Sequence, residues 1–198
     1  FEKNHTVFRI SFSMMYPKIL FPGKSQFSDF NSSAADKIIN SLNPFSWIKT
    51  VKQLNTLMPD IIIFQYWHPF FSPAFQFISK RIKLVSKAKI IANCNNVLPH
   101  EKFFFSKRLA LMFFKYVDHF IVMSRSVKKD LYEIHPSANC IELKHPVYDI
   151  FGKKISKHIA RSKLSLKSEK IILFFGMIRE YKGLDILIKS TSDLKKKL

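Results

Sequence analysis

Ile171–Ser190, IILFFGMIREYKGLDILIKS, decides how the rest of this chain is read. The apolar run Ile171–Phe175 has the length and content of a buried strand, and Gly176 supplies the turn after it. Arg179 and Lys182 follow, then Gly183 and an apolar-spaced helix through Leu184, Leu187 and Ile188. Such a strand–loop–helix unit sets positive charge beside a helix N-terminus, where unpaired amide groups and the helix dipole favour a phosphate. The chain closes one helix into this unit and opens on Phe1, so the expectation is a fragment of a larger enzyme.

Upstream, short β-rich runs alternate with longer helical patterns. The expected strands are Thr6–Ser13, Asp60–Phe64, Lys89–Asn93, His119–Met123, Cys140–Leu143 and Ile171–Phe175. Helices are expected at Pro44–Met58, Pro73–Lys87, Lys102–Val117 and Ser126–His135, the last with Ser126 as N-cap. This alternation predicts βαβ units: an α/β fold with a Rossmann-like parallel sheet and helices on both faces. Strand runs that are apolar throughout agree with cover on both sides. From Lys144 to Ser168 the periodicity fades and Pro146, Gly152, lysines and serines accumulate. The expected division is therefore a first domain over 1–145, an interdomain linker over 146–168, and the start of a second Rossmann-like domain over 169–198.

Composition narrows the partners. The chain has 198 residues, 47% of them hydrophobic, which is ample for a packed core and argues against global disorder. Its formal charge of +19, from 33 basic against 14 acidic residues, draws anionic lipid, nucleic acid or phosphorylated ligands. A residue bias without function gives the same number. The basic residues are spread along the chain instead of forming one tract, which speaks against a nucleic-acid-binding tail. Cys94 and Cys140 have no metal-type spacing and read as small hydrophobes in a reducing, cytoplasmic setting. No apolar run is long enough to cross a bilayer, and no signal peptide is visible.

Ligands of open parallel sheets bind beyond the carboxyl ends of the strands, so the residues that follow each strand are the site candidates. These are His68 after Asp60–Phe64; Asn95, Asn96, His100 and Glu101 after Lys89–Asn93; and Ser124 after His119–Met123. After Ile171–Phe175 come Gly176, Arg179, Lys182 and Gly183. Each has an ordinary alternative: a turn cap for His68, Asx turns for the asparagines, a helix-start pair for His100 and Glu101, a solvated loop for Arg179 and Lys182. The segment EKFFFSKRLALMFFKYVD, Glu101–Asp118, is aromatic and basic together. It reads either as a helix lying on a membrane surface or as one that covers the sheet with snorkelling lysine stems. No dinucleotide fingerprint, Walker loop, metalloprotease or EF-hand motif, or nucleophile elbow is present.

FFGMIREYKGLDILI resembles the start of the C-terminal domain of family 4 retaining glycosyltransferases, which have the GT-B fold of two facing Rossmann-like domains. SFSMMYPKILFPGKSQFSD, DIIIFQYWHPFFSPAF, NNVLPHE and VMSRSVKKDL resemble successive segments of that family's N-terminal domain, and HPVYDIFG its interdomain stretch. The resemblance implies transfer of a sugar from a nucleotide-sugar donor to a glycan or lipid-linked acceptor, as in synthesis of cell-surface polysaccharide or glycolipid. It implies retention at the anomeric carbon, with no metal and no cofactor beyond the donor itself. Lys182 would contact the donor diphosphate with Arg179 as helper, between Gly176 and Gly183. His68, Asn95, Asn96, His100, Glu101 and Ser124 would line the acceptor side.

The sequence departs from that pattern in several places. Met177 stands where many members carry Arg, and Asn95 where many carry His; Asn donates a hydrogen bond but cannot shuttle a proton. The family's first strand with its Gly-rich loop and its acidic donor motif are not found, so the catalytic residues stay unassigned and this chain is expected to be inactive alone. The parent enzyme is expected at the cytoplasmic face of a membrane, peripherally bound to anionic lipid. The alternative is a non-catalytic basic domain that holds anionic lipid or polymer. Nucleic acid is the least expected partner, because no recognition motif accompanies the charge.

Overall fold

The structure is a computed structural model that describes residues 4–17, 19, 35–99, 105–145, 152–168, 170–176 and 178–197. Its contacts divide the chain into two compact units, Phe1–His145 and Pro146–Leu198.

The first unit is α/β. In order it runs β1 (Ile10–Met14), β2 (Asp36–Asn40), α1 (Pro44–Leu57), β3 (Ile61–Tyr66), α2 (Ser72–Val85), β4 (Lys89–Cys94), α3 (Ser106–Phe114), β5 (His119–Val122), α4 (Arg125–Ile134) and β6 (Cys140–Glu142). β3–β6 form one parallel sheet in the order 3-4-5-6, and β1 pairs with β2, also parallel, in a sheet of two. Helices intervene between the strands of the larger sheet because a parallel neighbour needs a crossover long enough to return the chain. Local chemistry sets where these helices begin. The Asn43 side chain accepts from the Phe45 amide ahead of α1, with Pro44 in the first turn, and Met58 in left-handed backbone closes it. Ser124 caps α4 by accepting from the Val127 amide, and Val127, Leu131 and Ile134 form its buried stripe.

Several features differ from the sequence reading of this unit. β1 starts at Ile10 instead of Thr6, and β2 was not expected at all. Within the expected helix Lys102–Val117, α3 runs Ser106–Phe114, with 102–104 outside the described residues. The cap of α4 is Ser124 instead of Ser126, because the Ser124 hydroxyl is the one that accepts from the Val127 amide. The larger difference concerns the faces of the sheet. Strand order advancing in one direction, with right-handed crossovers, puts successive helices on one side. Burial alternates accordingly. Ile62, Phe64 and Tyr66 of β3 share a face with Ile90, Ala92, Cys94, Phe120 and Val122, and all but Ile62 are buried. Their neighbours Ile61, Ile63 and Ile141 point the other way and remain exposed, Ile63 at 41% and Ile141 at 56%. The expectation of helices on both faces is corrected: among the described residues, helices cover one face. Ile63→Lys should therefore change stability by less than about 0.5 kcal/mol. Ala92→Lys, on the covered face of the adjacent strand, should prevent folding, because it buries an unpaired ammonium. Urea unfolding of the two variants checks this, and equal losses would refute the one-sided sheet.

The covered face is an aromatic core. The row Phe64, Ala92, Phe120, Cys140 across β3–β6 alternates large and small side chains, which leaves room above Ala92 for rings from the helices. Phe113 of α3 meets Phe64 edge-on at 5.1 Å, and Phe75 of α2 lies 4.8 Å from Phe64. Phe71 continues the cluster toward β1, 5.0 Å from Phe12 and 4.6 Å from Trp67.

The second unit holds α5 (Lys157–Lys163), a 3-10 turn at Glu180–Lys182 and α6 (Leu184–Lys197). Ile171–Phe175, expected as a buried strand, forms no strand, and Phe175 is 91% exposed. The physical reason is the absence of a ladder: among the described residues no strand lies beside it to take up its amide and carbonyl groups.

Candidate site at the carboxyl ends of the strands

Pairing of Tyr66 with Cys94 and of Cys94 with Val122 brings the carboxyl ends of β3, β4 and β5 level. Adjacent parallel strands lie about 4.8 Å apart, so the residues that follow these ends form one continuous rim. His68, Asn95, Asn96 and Ser124 all lie on it. His100 and Glu101 lie outside the described residues.

Three of the rim residues are tied to nearby backbone. The His68 Nδ1 accepts from the Phe70 amide at 3.1 Å and so starts the 3-10 turn Pro69–Phe71 that leads into α2. That bond fixes the tautomer: a neutral ring whose Nδ1 accepts carries its proton on Nε2. The Asn95 amide donates to the Tyr66 carbonyl at 2.9 Å, extending the β3–β4 ladder one residue, and leaves the Asn95 side chain exposed. Ser124 Oγ accepts from Val127 and lies 3.0 Å from Ser126 Oγ.

Tyr16, which sequence reasoning passed over, belongs to the same rim. It follows β1, stacks on Phe70 at 5.4 Å, meets His68 edge-on at 6.5 Å, and its hydroxyl accepts from Trp67 Nε1 at 3.2 Å. Partial burial raises its phenol above the ordinary value, and the Trp67 bond opposes that rise. An aromatic wall of Tyr16, Trp67 and Phe70 thus flanks the imidazole. The signal was available in YPKILF and QYWHPFF, but only the pairing of Trp67 with a residue 51 positions earlier joins them. Behind the rim, the fully buried Tyr66 has its phenol pushed far up by desolvation, with the Ser72 hydroxyl opposing. Both oxygens are buried, and a phenol held this firmly protonated is a core group and not a reactive one.

In the second unit, Gly176 adopts φ of 129°, open to glycine alone, and nothing stands within 4 Å of where a Cβ would project. Arg179, in extended backbone, precedes the 3-10 turn that contains Lys182, and the Lys182 ammonium sits over the Tyr181 ring at 5.4 Å. Gly183, at φ of 67°, reverses the chain into α6, whose first bond runs from the Leu187 amide to the Gly183 carbonyl. Both cations stand just ahead of the helix N-terminus, as an anion site needs. Asp185 occupies the first turn and partly neutralises the same dipole. Met177 lies outside the described residues.

A concavity of about 500 Å³ between α1 and α2, lined by Leu54, Met58, Asp60, Ile82 and Lys87 among others, opens at the amino ends of β3 and β4. It shares no residue with the rim and lies at the wrong end of the sheet for ligands of this architecture. Buried Cys94 has its thiol pushed far above the ordinary value by desolvation, which keeps it protonated and unreactive. Among the described residues no group of three or more His, Cys, Asp or Glu could hold a metal ion, and no helix is long and apolar enough to cross a membrane. Comparison with protein families, curated proteins and solved structures gives no match to this chain.

Proposed function

We propose that this chain serves in a retaining glycosyltransferase of the GT-B type, with a Rossmann-like acceptor-side domain over 1–145 and a donor-side domain that begins at residue 169. The reaction passes a sugar from a nucleotide-sugar donor to a glycan or a lipid-linked acceptor. The observation that carries this reading is the alignment of His68, Asn95, Asn96 and Ser124 on three level strand ends. It is supported by a loop that presents Arg179 and Lys182 ahead of a helix N-terminus.

The roles follow from the chemistry. Breaking the anomeric bond leaves negative charge on the departing diphosphate, and preplaced cations stabilise that charge more than the ground state. Lys182 supplies a compact charge, and Arg179 a planar fork suited to two phosphate oxygens. The rim binds the acceptor: Nε2–H of neutral His68 and the amides of Asn95 and Asn96 donate to hydroxyl oxygens, and the Tyr16–Trp67–Phe70 wall offers flat apolar surface to a sugar ring.

Titrating ¹⁵N-labelled protein with uridine and guanosine diphosphates tests the donor half. Amide shifts are expected at Gly176, Arg179, Lys182 and Gly183, and to vanish in Lys182→Ala. Shifts confined to other residues, or none, would overturn the assignment. Asp185→Asn should tighten the diphosphate about two- to fivefold, since it removes a carboxylate worth about 0.3–1 kcal/mol at the same helix end.

A further inference from the structure

The concavity between α1 and α2 has an apolar floor and two opposite charges at its mouth. Leu54, Ile82 and Ala88 form the buried floor, and exposed Met58 adds a flexible apolar wall. Asp60 and Lys87 supply the charges. Extending the β3–β4 register back from Ile61 and Lys89 sets Asp60 opposite Ala88, one residue from Lys87. Adjacent strands lie about 4.8 Å apart, so one small molecule reaches both side chains. No ion pair joins the two, and among the described residues neither is paired with any other charge. Local backbone holds both in place. The Ser86 hydroxyl accepts from the Ala88 amide at 3.0 Å and fixes the turn that carries Lys87. The Lys89 amide donates to the Asp60 carbonyl at 2.9 Å and fixes Asp60 at the strand end. α1 ends close before Asp60 with no basic residue in its last turn, so its negative dipole end adds to the carboxylate.

We propose that this concavity binds a free apolar α-amino acid, with its ammonium on Asp60, its carboxylate on Lys87 and its side chain on Leu54, Ile82 and Ala88. Charge complementarity chooses the ligand. A simple anion satisfies Lys87 but meets Asp60 and the α1 dipole, and a simple cation satisfies Asp60 but meets Lys87. A neutral apolar molecule uses the floor alone. A zwitterion with an apolar body matches all three features. The volume of about 500 Å³ falls within the range of small-molecule sites, about 300–1,000 Å³. The amino ends of the strands lie outside the crevice where this architecture holds substrates. They are separated from the rim by the six residues of β3, about 20 Å, so the amino acid is not a reactant of the rim. The proposal uses nothing of the transferase reading, and its test contains neither nucleotide nor sugar, so each can fail without the other.

The test is titration of the ¹⁵N-labelled full chain with three probes: L-phenylalanine, phenethylamine, which lacks the carboxylate, and 3-phenylpropionate, which lacks the ammonium. L-Phenylalanine should shift the amides of Met58, Asp60, Ser86, Lys87 and Ala88. It should bind about two- to fivefold tighter than either singly charged probe, the worth of one exposed ion pair. Asp60→Asn should remove its advantage over 3-phenylpropionate, and Lys87→Gln its advantage over phenethylamine. Both side chains are exposed, so both variants keep the fold, and the dispersion of the same spectra verifies this. The ranking of the three probes on the unaltered chain is a second readout that needs no variant. Equal affinity for all three probes, shifts confined to other residues, variants that leave the ranking unchanged, or no shift up to about 10 mM L-phenylalanine would overturn the proposal.

Discussion

Phe113→Ala should remove about 3–5 kcal/mol of stability, seen as a collapse of the urea midpoint. The ring is fully buried and joins three elements at once: 5.1 Å from Phe64 of β3, 5.4 Å from Phe75 of α2, and stacked 5.8 Å from Tyr66. Neighbouring aromatic rings are stiff and cannot slump into the gap as aliphatic chains do, so most of the cavity persists. Domains of this size hold about 5–15 kcal/mol in total, so the variant should sit near the edge of folding. Leu111→Ala, two residues earlier on the exposed side of α3, should fall within about 0.5 kcal/mol of the parent. A loss below about 1 kcal/mol for Phe113→Ala would mean that α3 does not pack on the sheet in this way.

Much of this fold was legible because buried parallel strands are apolar runs of the right length. DIIIF, KIIAN and HFIVM each stand out in the sequence, and β3, β4 and β5 lie on them. β2 was not legible. DKIIN opens with two charged residues and offers only Ile38 and Ile39 as a signal; its pairing with β1 comes from residues 26 positions away. The one-sided cover of the sheet was illegible for the opposite reason. Ile61, Ile62 and Ile63 are identical in composition, so no period-2 contrast marks which side faces solvent. Ile171–Phe175 shows that an apolar run supplies only half of a strand; the other half is a partner to bond.

The candidate site divides along similar lines. Residues just after strands could be named from one sequence because topology alone delivers them to a common edge: His68, Asn95, Asn96 and Ser124 needed only the strand positions to be right. Tyr16 needed knowledge that β1 ends beside Trp67, a tertiary fact carried by side-chain packing.

Asp118→Ala should cost about 1–3 kcal/mol at neutral pH, and that cost should disappear in acid. Asp118 precedes β5 and ties three elements. One carboxylate oxygen accepts from the Ile90 amide at 2.7 Å, both oxygens lie 2.6 Å from the Lys83 ammonium on α2, and the Asp118 amide donates to the Ile90 carbonyl. Burial alone would raise this carboxyl. The Ile90 bond, the Lys83 bond and charge, and the Lys89 charge together outweigh burial and hold it below the usual aspartate value. A depressed carboxyl stabilises the fold above its unfolded value of about 3.9, and the contribution is lost as pH falls through the lower folded value. The gap in melting temperature between parent and Asp118→Ala should therefore be full at pH 7 and close below about pH 4. Lys83→Ala should cost less than about 1 kcal/mol, because that pair is partly solvated, while the Ile90 amide keeps its acceptor. The two variants thus separate the hydrogen bond that anchors β4 from the ion pair beside it. A gap that stays constant from pH 7 to pH 3 would mean that Asp118 acts through shape and not through its charge.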